Sequence, residues 1–173
     1  SYIAENSKLP VILYNVPFRT GVNLLPKTAA EIVKRNKNVV SVKEASGNIS
    51  QIAELISLLP PSVSVVSGND DQTLPIMALG GTGVVSVLSN ICPEEMKKLT
   101  VLIQNLQMDE ARTLNNRLNK IMNLMFVDVN PIPVKFAVSL LNLIDNRLRL
   151  PLIGISAENQ VLIKEEMERL GWL

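Results

Sequence analysis

Four short runs rich in β-branched residues punctuate the first half of the chain: Pro10 to Tyr14, Val39 to Val42, Val63 to Val66 and Val84 to Val87. None alternates cleanly between apolar and polar positions, as expected of parallel strands covered on both faces, and turn or capping residues bound each run. Between them a helical period predicts helices over Pro26 to Arg35, over Ile49 to Leu59 with Asn48 as N-cap, and over Asp71 to Leu79 after Asp70. Strict alternation of strand and helix implies right-handed βαβ crossovers and a parallel sheet.

From Pro93 the pattern becomes wholly helical. Glu94, Glu95 and Met96 open one helix, and further helices are predicted over Asp109 to Phe126, Val134 to Leu143, and Ala157 to Leu170 after Ser156. Asn130-Pro131-Ile132-Pro133 interrupts them, because each proline removes a donor and pushes its preceding residue out of helical geometry. Ser1 is not Met, and Ser1 to Glu5 resembles the last turn of a helix. Four parallel strands are also too few to close a barrel, so the chain reads as truncated; a small open four-stranded sheet complete in itself is the alternative.

Charge and composition narrow the function classes. Seventeen Lys plus Arg stand against sixteen Asp plus Glu, with no basic stretch suited to phosphates, so nucleic acid is not expected as a partner. Apolar stretches such as Gly83 to Leu88 fall far short of the ~20 residues that cross a bilayer, and no charged segment precedes an apolar leader; a soluble cytoplasmic protein is expected. The chain has no His and one Cys, Cys92. Ser-His-Asp and Cys-His nucleophiles and the usual zinc ligand sets are thereby excluded, and neither a metal nor a cofactor is expected. Lys, Tyr, Asp, Glu, Ser and Thr remain, and of these a desolvated Lys is a strong nucleophile at neutral pH.

Functional residues of α/β sheets cluster just past the C-terminal strand ends. Here those ends carry Tyr14-Asn15-Val16-Pro17, Lys43-Glu44-Ala45-Ser46-Gly47-Asn48, Ser67-Gly68-Asn69-Asp70-Asp71 and Ser86-Val87-Leu88-Ser89-Asn90. Lys43 leaves a buried strand, so its amine is a candidate for condensation with a ketone to an imine; a solvated Lys loosely paired with Glu44 is the commoner case for such a position. Tyr14 is a candidate proton relay or an amphipathic rim residue. Arg19 is either a fork for a substrate carboxylate or a solvated loop residue. Gly80-Gly81-Thr82-Gly83 precedes a strand and lacks a following Lys-Ser or Lys-Thr, which favours a tight turn over a phosphate loop. Asp70 and Asp71 suit a helix start as cap and dipole partners and receive no catalytic role.

Taken together, Tyr14-Asn15-Val16-Pro17 with Arg19-Thr20-Gly21, and Val42-Lys43-Glu44-Ala45-Ser46-Gly47-Asn48, resemble the dihydrodipicolinate synthase family. Ser67-Gly68-Asn69-Asp70, Gly80 to Val87 and Asn130-Pro131-Ile132-Pro133-Val134-Lys135 extend that resemblance, in order, over essentially the whole chain. It implies an α/β fold: the C-terminal half, strands five to eight, of a (β/α)₈ barrel, followed by a helical extension. Residues 1–92 would form the partial barrel and 93–173 the last barrel helix with the extension. It also implies a class I aldolase of lysine and diaminopimelate biosynthesis, usually a homotetramer. Lys43 would form an imine with pyruvate, and the enamine would attack aspartate semialdehyde. Tyr14 would shuttle protons, Arg19 would hold the aldehyde substrate's carboxylate, and Gly68 and Val85 would line the pocket through backbone. The family's first four strands, which complete the proton relay and bind inhibitory lysine, have no counterpart here, so the isolated chain is expected to be poorly active. N-acetylneuraminate or keto-deoxy sugar-acid aldolase activity, and a non-catalytic assembly module, are the competing readings.

Overall fold

The computed structural model describes residues 1–173, and the chain divides into two compact units, Ser1–Val85 and Ser86–Leu173. The first is an α/β unit. After a four-residue helix, α1 (Tyr2–Glu5), come β1 (Val11–Asn15), the single-turn α2 (Pro17–Thr20), α3 (Pro26–Arg35), β2 (Val39–Glu44), α4 (Ile49–Leu58), β3 (Ser64–Ser67), α5 (Thr73–Ala78) and β4 (Gly83–Val84). The strands form one parallel sheet in the order β1-β2-β3-β4, so each βα unit lays its strand beside the previous one.

Local chemistry sets most of the boundaries. Pro26 at the first turn starts α3, where its missing N–H costs nothing. The Asn48 side chain accepts from the Gln51 N–H at 3.1 Å and caps α4. The helix expected from Asp71 begins instead at Thr73, after a 3₁₀ turn over Asp70–Gln72. Pro75 explains the shift: in a helix starting at Asp71 it would have to donate to the Asp71 carbonyl, whereas from Thr73 it falls in the donor-free first turn. At the other end of α5, Gly80 takes φ +110° and the Gly81 N–H returns to the Ile76 carbonyl at 2.9 Å. This is the expected tight turn, and a Cβ on Gly81 would lie 2.8 Å from that carbonyl oxygen. The fourth strand is shorter than Val84 to Val87: ladder pairing ends at Val84, and Leu88–Asn90 form a 3₁₀ turn.

The sheet of the first unit is not covered alike on its two faces. Val42 and Val65 pack with Ala29, Ile52, Leu55 and Ile76 from the helices, and Leu13 joins them. On the opposite face Ile12 and Tyr14 remain 57% and 47% exposed. The expectation of strands covered on both faces therefore fails for β1, because α3, α4 and α5 supply apolar side chains to one side only.

The second unit is helical, with α6 (Pro93–Gln104), α7 (Met108–Leu124), α8 (Ile132–Leu140) and α9 (Ala157–Leu170). In it α6 packs on α7, and α9 on both α7 and α8. Ser156 caps α9 by accepting from the Asn159 N–H at 3.2 Å. Pro133 does not belong to the break before α8; it sits in that helix's first turn, where no donor is required. Glu166 of α9 is fully buried and takes Lys120 of α7 at 3.1 Å and Arg169 at 2.9 Å, so one carboxylate ties two helices. The Arg169 guanidinium, followed by Lys120, holds that carboxyl below the ordinary glutamate value against the opposing effect of burial.

Candidate active site at the strand ends

Parallel pairing sets Tyr14 opposite Lys43 and Lys43 opposite Val66. Side chains alternate across a strand, so these three project to the same face, the one that leaves Tyr14 half exposed. The Lys43 Nζ stands 4.0 Å from the centroid of the Tyr14 ring, well within cation–π range. Behind the lysine stem lies Gly68, whose N–H donates to the Glu44 carbonyl at 2.8 Å. A Cβ at that position would meet Ala45 Cβ at 2.7 Å and Lys43 Cε at 3.1 Å. The absence of a side chain at Gly68 is what lets the stem extend past the strand end. Tyr14, Lys43 and Gly68 are thus brought together.

The other two candidates are placed differently. Val85 follows β4, and its N–H donates to the Ser67 carbonyl at 2.8 Å while its side chain is half exposed. Arg19 lies in α2, directly after β1 and beside Phe18, which is 92% exposed. Its guanidinium takes no part in any of the ion pairs, in contrast to Arg169 on Glu166. It is open to a carboxylate from solution.

Glu44 is not a partner of Lys43, so the alternative of a lysine loosely paired with it fails. As the next residue on the strand it points to the opposite face, where it is 1% exposed. There both carboxylate oxygens accept from Asn15 Nδ2, at 3.0 and 3.2 Å, and Oε1 also accepts from the Ser46 N–H at 2.7 Å. The Asn15 amide, itself buried, donates to Asn23 Oδ1 at 2.9 Å and accepts from the Leu24 N–H at 2.9 Å. Asn23 and Gln51 exchange amide hydrogen bonds at 2.8 and 3.1 Å. Leaving a buried group of this kind without partners costs ~1–3 kcal/mol or more, and here each is satisfied. Sequence reasoning passed over Asn15, Glu44, Asn23 and Gln51. For Asn15 and Glu44 the available signal was the alternation itself, which puts the residue after each candidate on the helix-covered side, where a polar side chain needs a partner; Asn23 and Gln51 lie outside the strands and gave no such signal.

Lys43 is therefore an amine with no carboxylate neighbour, held over a phenol ring beside a bare stretch of backbone. Such a group can add to a carbonyl carbon, with the phenol at hand to carry protons. The model of the dihydrodipicolinate synthetase family matches residues 1–170. The chain is 46% identical over 170 residues to the 4-hydroxy-tetrahydrodipicolinate synthase of Prosthecochloris aestuarii, which covers 98% of this chain and 57% of that protein. The solved dihydrodipicolinate synthase of Thermotoga maritima superposes with a TM-score of 0.97 at 42% identity, over 99% of this chain and 59% of its own. The chloride-inhibited dihydrodipicolinate synthase of Acinetobacter baumannii, solved in complex with pyruvate, superposes with a TM-score of 0.95 at 36% identity, again over 99% and 59%. The chain spans 57% of the length of the first of these relatives.

Proposed function

The chain belongs to the dihydrodipicolinate synthetase family, and from that premise we propose that it carries the imine-forming part of a class I aldolase joining pyruvate to aspartate semialdehyde, in lysine and diaminopimelate biosynthesis. The fold reading is strands five to eight of a (β/α)₈ barrel through Cys92, with the last barrel helix and a helical extension from Pro93. The assembly reading is a cytoplasmic homotetramer. No helix is long and apolar enough to cross a membrane.

Lys43 Nζ adds to the ketone carbon of pyruvate, and the carbinolamine loses water to give the imine. Loss of a methyl proton turns the imine into an enamine, whose terminal carbon attacks the aldehyde carbon of the second substrate. The aldehyde oxygen takes a proton as the new carbon–carbon bond forms. Tyr14 carries protons to and from these oxygens, and Arg19 pairs with the aldehyde substrate's carboxylate. Gly68 and Val85 shape the pocket through their backbones. The observation that supports this most is the 4.0 Å approach of Lys43 Nζ to the Tyr14 ring, on neighbouring strands in register. A relative solved with pyruvate supports the first substrate, and relatives named as synthases favour aspartate semialdehyde over a sugar aldehyde. Because Ile12 and Tyr14 lie open on this face, water is poorly excluded, and the 173 residues by themselves are proposed to turn over slowly.

Borohydride reduction in the presence of pyruvate tests the proposal. A three-carbon adduct on Lys43, absent from Lys43→Ala, is expected by mass spectrometry. A folded protein that gains no adduct would overturn it.

A further inference from the structure

We infer that Asn15 is a positioning residue for the reaction, acting from the reverse face of the sheet through Glu44 and Leu24; this rests on the Lys43 reading above. Its side-chain amide touches two elements at once, and its backbone a residue that follows one of them. Toward β2 it donates to the Glu44 carboxylate. Toward the segment that returns from α2 it donates to Asn23 and accepts from the Leu24 N–H. Through its own backbone it continues β1, with its carbonyl accepting from the Ala45 N–H at 2.9 Å.

Those elements carry the candidate groups. Tyr14 and Lys43 face each other across β1 and β2, and Asn15 and Glu44 are the next pair in the same register, on the other side. Sliding one strand against the other by a fraction of a residue breaks the amide–carboxylate contacts and changes the lysine-to-ring distance together. A reacting atom misplaced by ~1 Å can cost on the order of 10²-fold in rate. The same amide fixes the far end of the Arg19 segment at Leu24. The near end is fixed by β1 itself.

The contact also has a defined polarity. Asn15 presents N–H groups to the Glu44 carboxylate and to Asn23 Oδ1, and an oxygen to the Leu24 N–H, so an acid at position 15 sets oxygen against oxygen at buried Glu44 and at exposed Asn23. A simultaneous Glu44→Gln change supplies the N–H missing at the buried contact, while Asn23, being exposed, turns its amide or takes water in place of the lost donor. Packing is preserved in both variants, since each substitution is isosteric.

The test uses the full chain and measures the rate of borohydride-trapped pyruvate adduct at Lys43 per folded molecule, with the melting curve recorded beside it. Asn15→Asp is expected to slow trapping by about tenfold or more. The double variant Asn15→Asp with Glu44→Gln is expected to return to within about threefold of the parent protein. A purely structural role would lower the melting temperature and leave trapping per folded molecule unchanged; that result in Asn15→Asp, or a double variant no faster than the single one, overturns the inference. If Asn15→Asp does not fold, the double variant decides alone, because the inference requires it to fold and to trap near the parent rate. No adduct in the parent protein overturns the Lys43 reading and this inference with it, whereas a parent adduct with an unaffected Asn15→Asp overturns this inference only.

Discussion

The Lys43 amine sits over the face of the Tyr14 ring, 4.0 Å from its centroid, and no hydrogen bond joins it to the phenol hydroxyl. The ring and the hydroxyl therefore do separable things. The ring face holds a cation, a contact worth ~0.5–2 kcal/mol according to exposure, while the hydroxyl is free to exchange protons with a third party.

Tyr14→Phe keeps the ring and removes the hydroxyl. Condensation is expected to slow by about 10²–10⁴-fold, the usual scale of positioned proton transfer, with little change in melting temperature. Tyr14→Ala should match that loss and also remove the ring from beside the lysine. Steady-state rates paired with melting curves check both.

Gly68→Ala puts a Cβ 2.7 Å from Ala45 Cβ and 3.1 Å from Lys43 Cε. The backbone on either side is bonded to its neighbours, so Ala45 and the lysine stem must yield. A destabilisation of ~1–3 kcal/mol is expected from overpacking, together with about tenfold slower adduct formation with pyruvate. A rate equal to the parent protein's would show that the stem has room to move aside.

Asn48→Ala removes the oxygen that accepts from the Gln51 N–H at 3.1 Å. The expected loss is ~1 kcal/mol, visible as a lower denaturant midpoint at unchanged slope. Asn48→Gly should lose only a few tenths of that.

Glu166 gives the second unit a pH signature. Its carboxyl is held below the ordinary value near 4.5, first by the Arg169 guanidinium, so the unfolded chain binds more protons in the acid range. The stabilisation is complete above about pH 4.5 and is lost as pH falls through the lower folded value. Glu166→Gln is expected to cost ~2 kcal/mol at neutral pH, the scale of a hydrogen bond to a charged group, and clearly less at an acid pH below the ordinary value, as the carboxylate is protonated. Urea unfolding of the two proteins at both pH values measures the difference.

Much of this arrangement was legible in the residues, and the exceptions have physical causes. Proline at the first helical turn and side-chain caps announced α3, α4 and α9, because they satisfy or dispense with specific donors. The strand-end lysine and tyrosine were visible through motif and position, and alternation by two then brought them to one face. The alternative that paired Glu44 with Lys43 fails because neighbouring strand residues point apart, so adjacency in sequence is not adjacency in space. The start of α5 turned on a single proline five residues into the expected helix. The open face around Ile12 and Tyr14 could not be read locally, since coverage is decided by which helices return to which side.

The hydrogen bonds that end on Asn23 and Leu24 have a consequence for how this site can be altered. Residues 16–22 hang between two fixed posts, β1 before them and the Asn15-bound Leu24 after them. Such a span works as an exchangeable cassette: its length and side chains, Phe18 and Arg19 included, can be varied while the posts keep the lysine and tyrosine where they are. Libraries confined to that span, with positions 15, 23, 24 and 44 held constant, are the economical way to seek new aldehyde preferences in this scaffold.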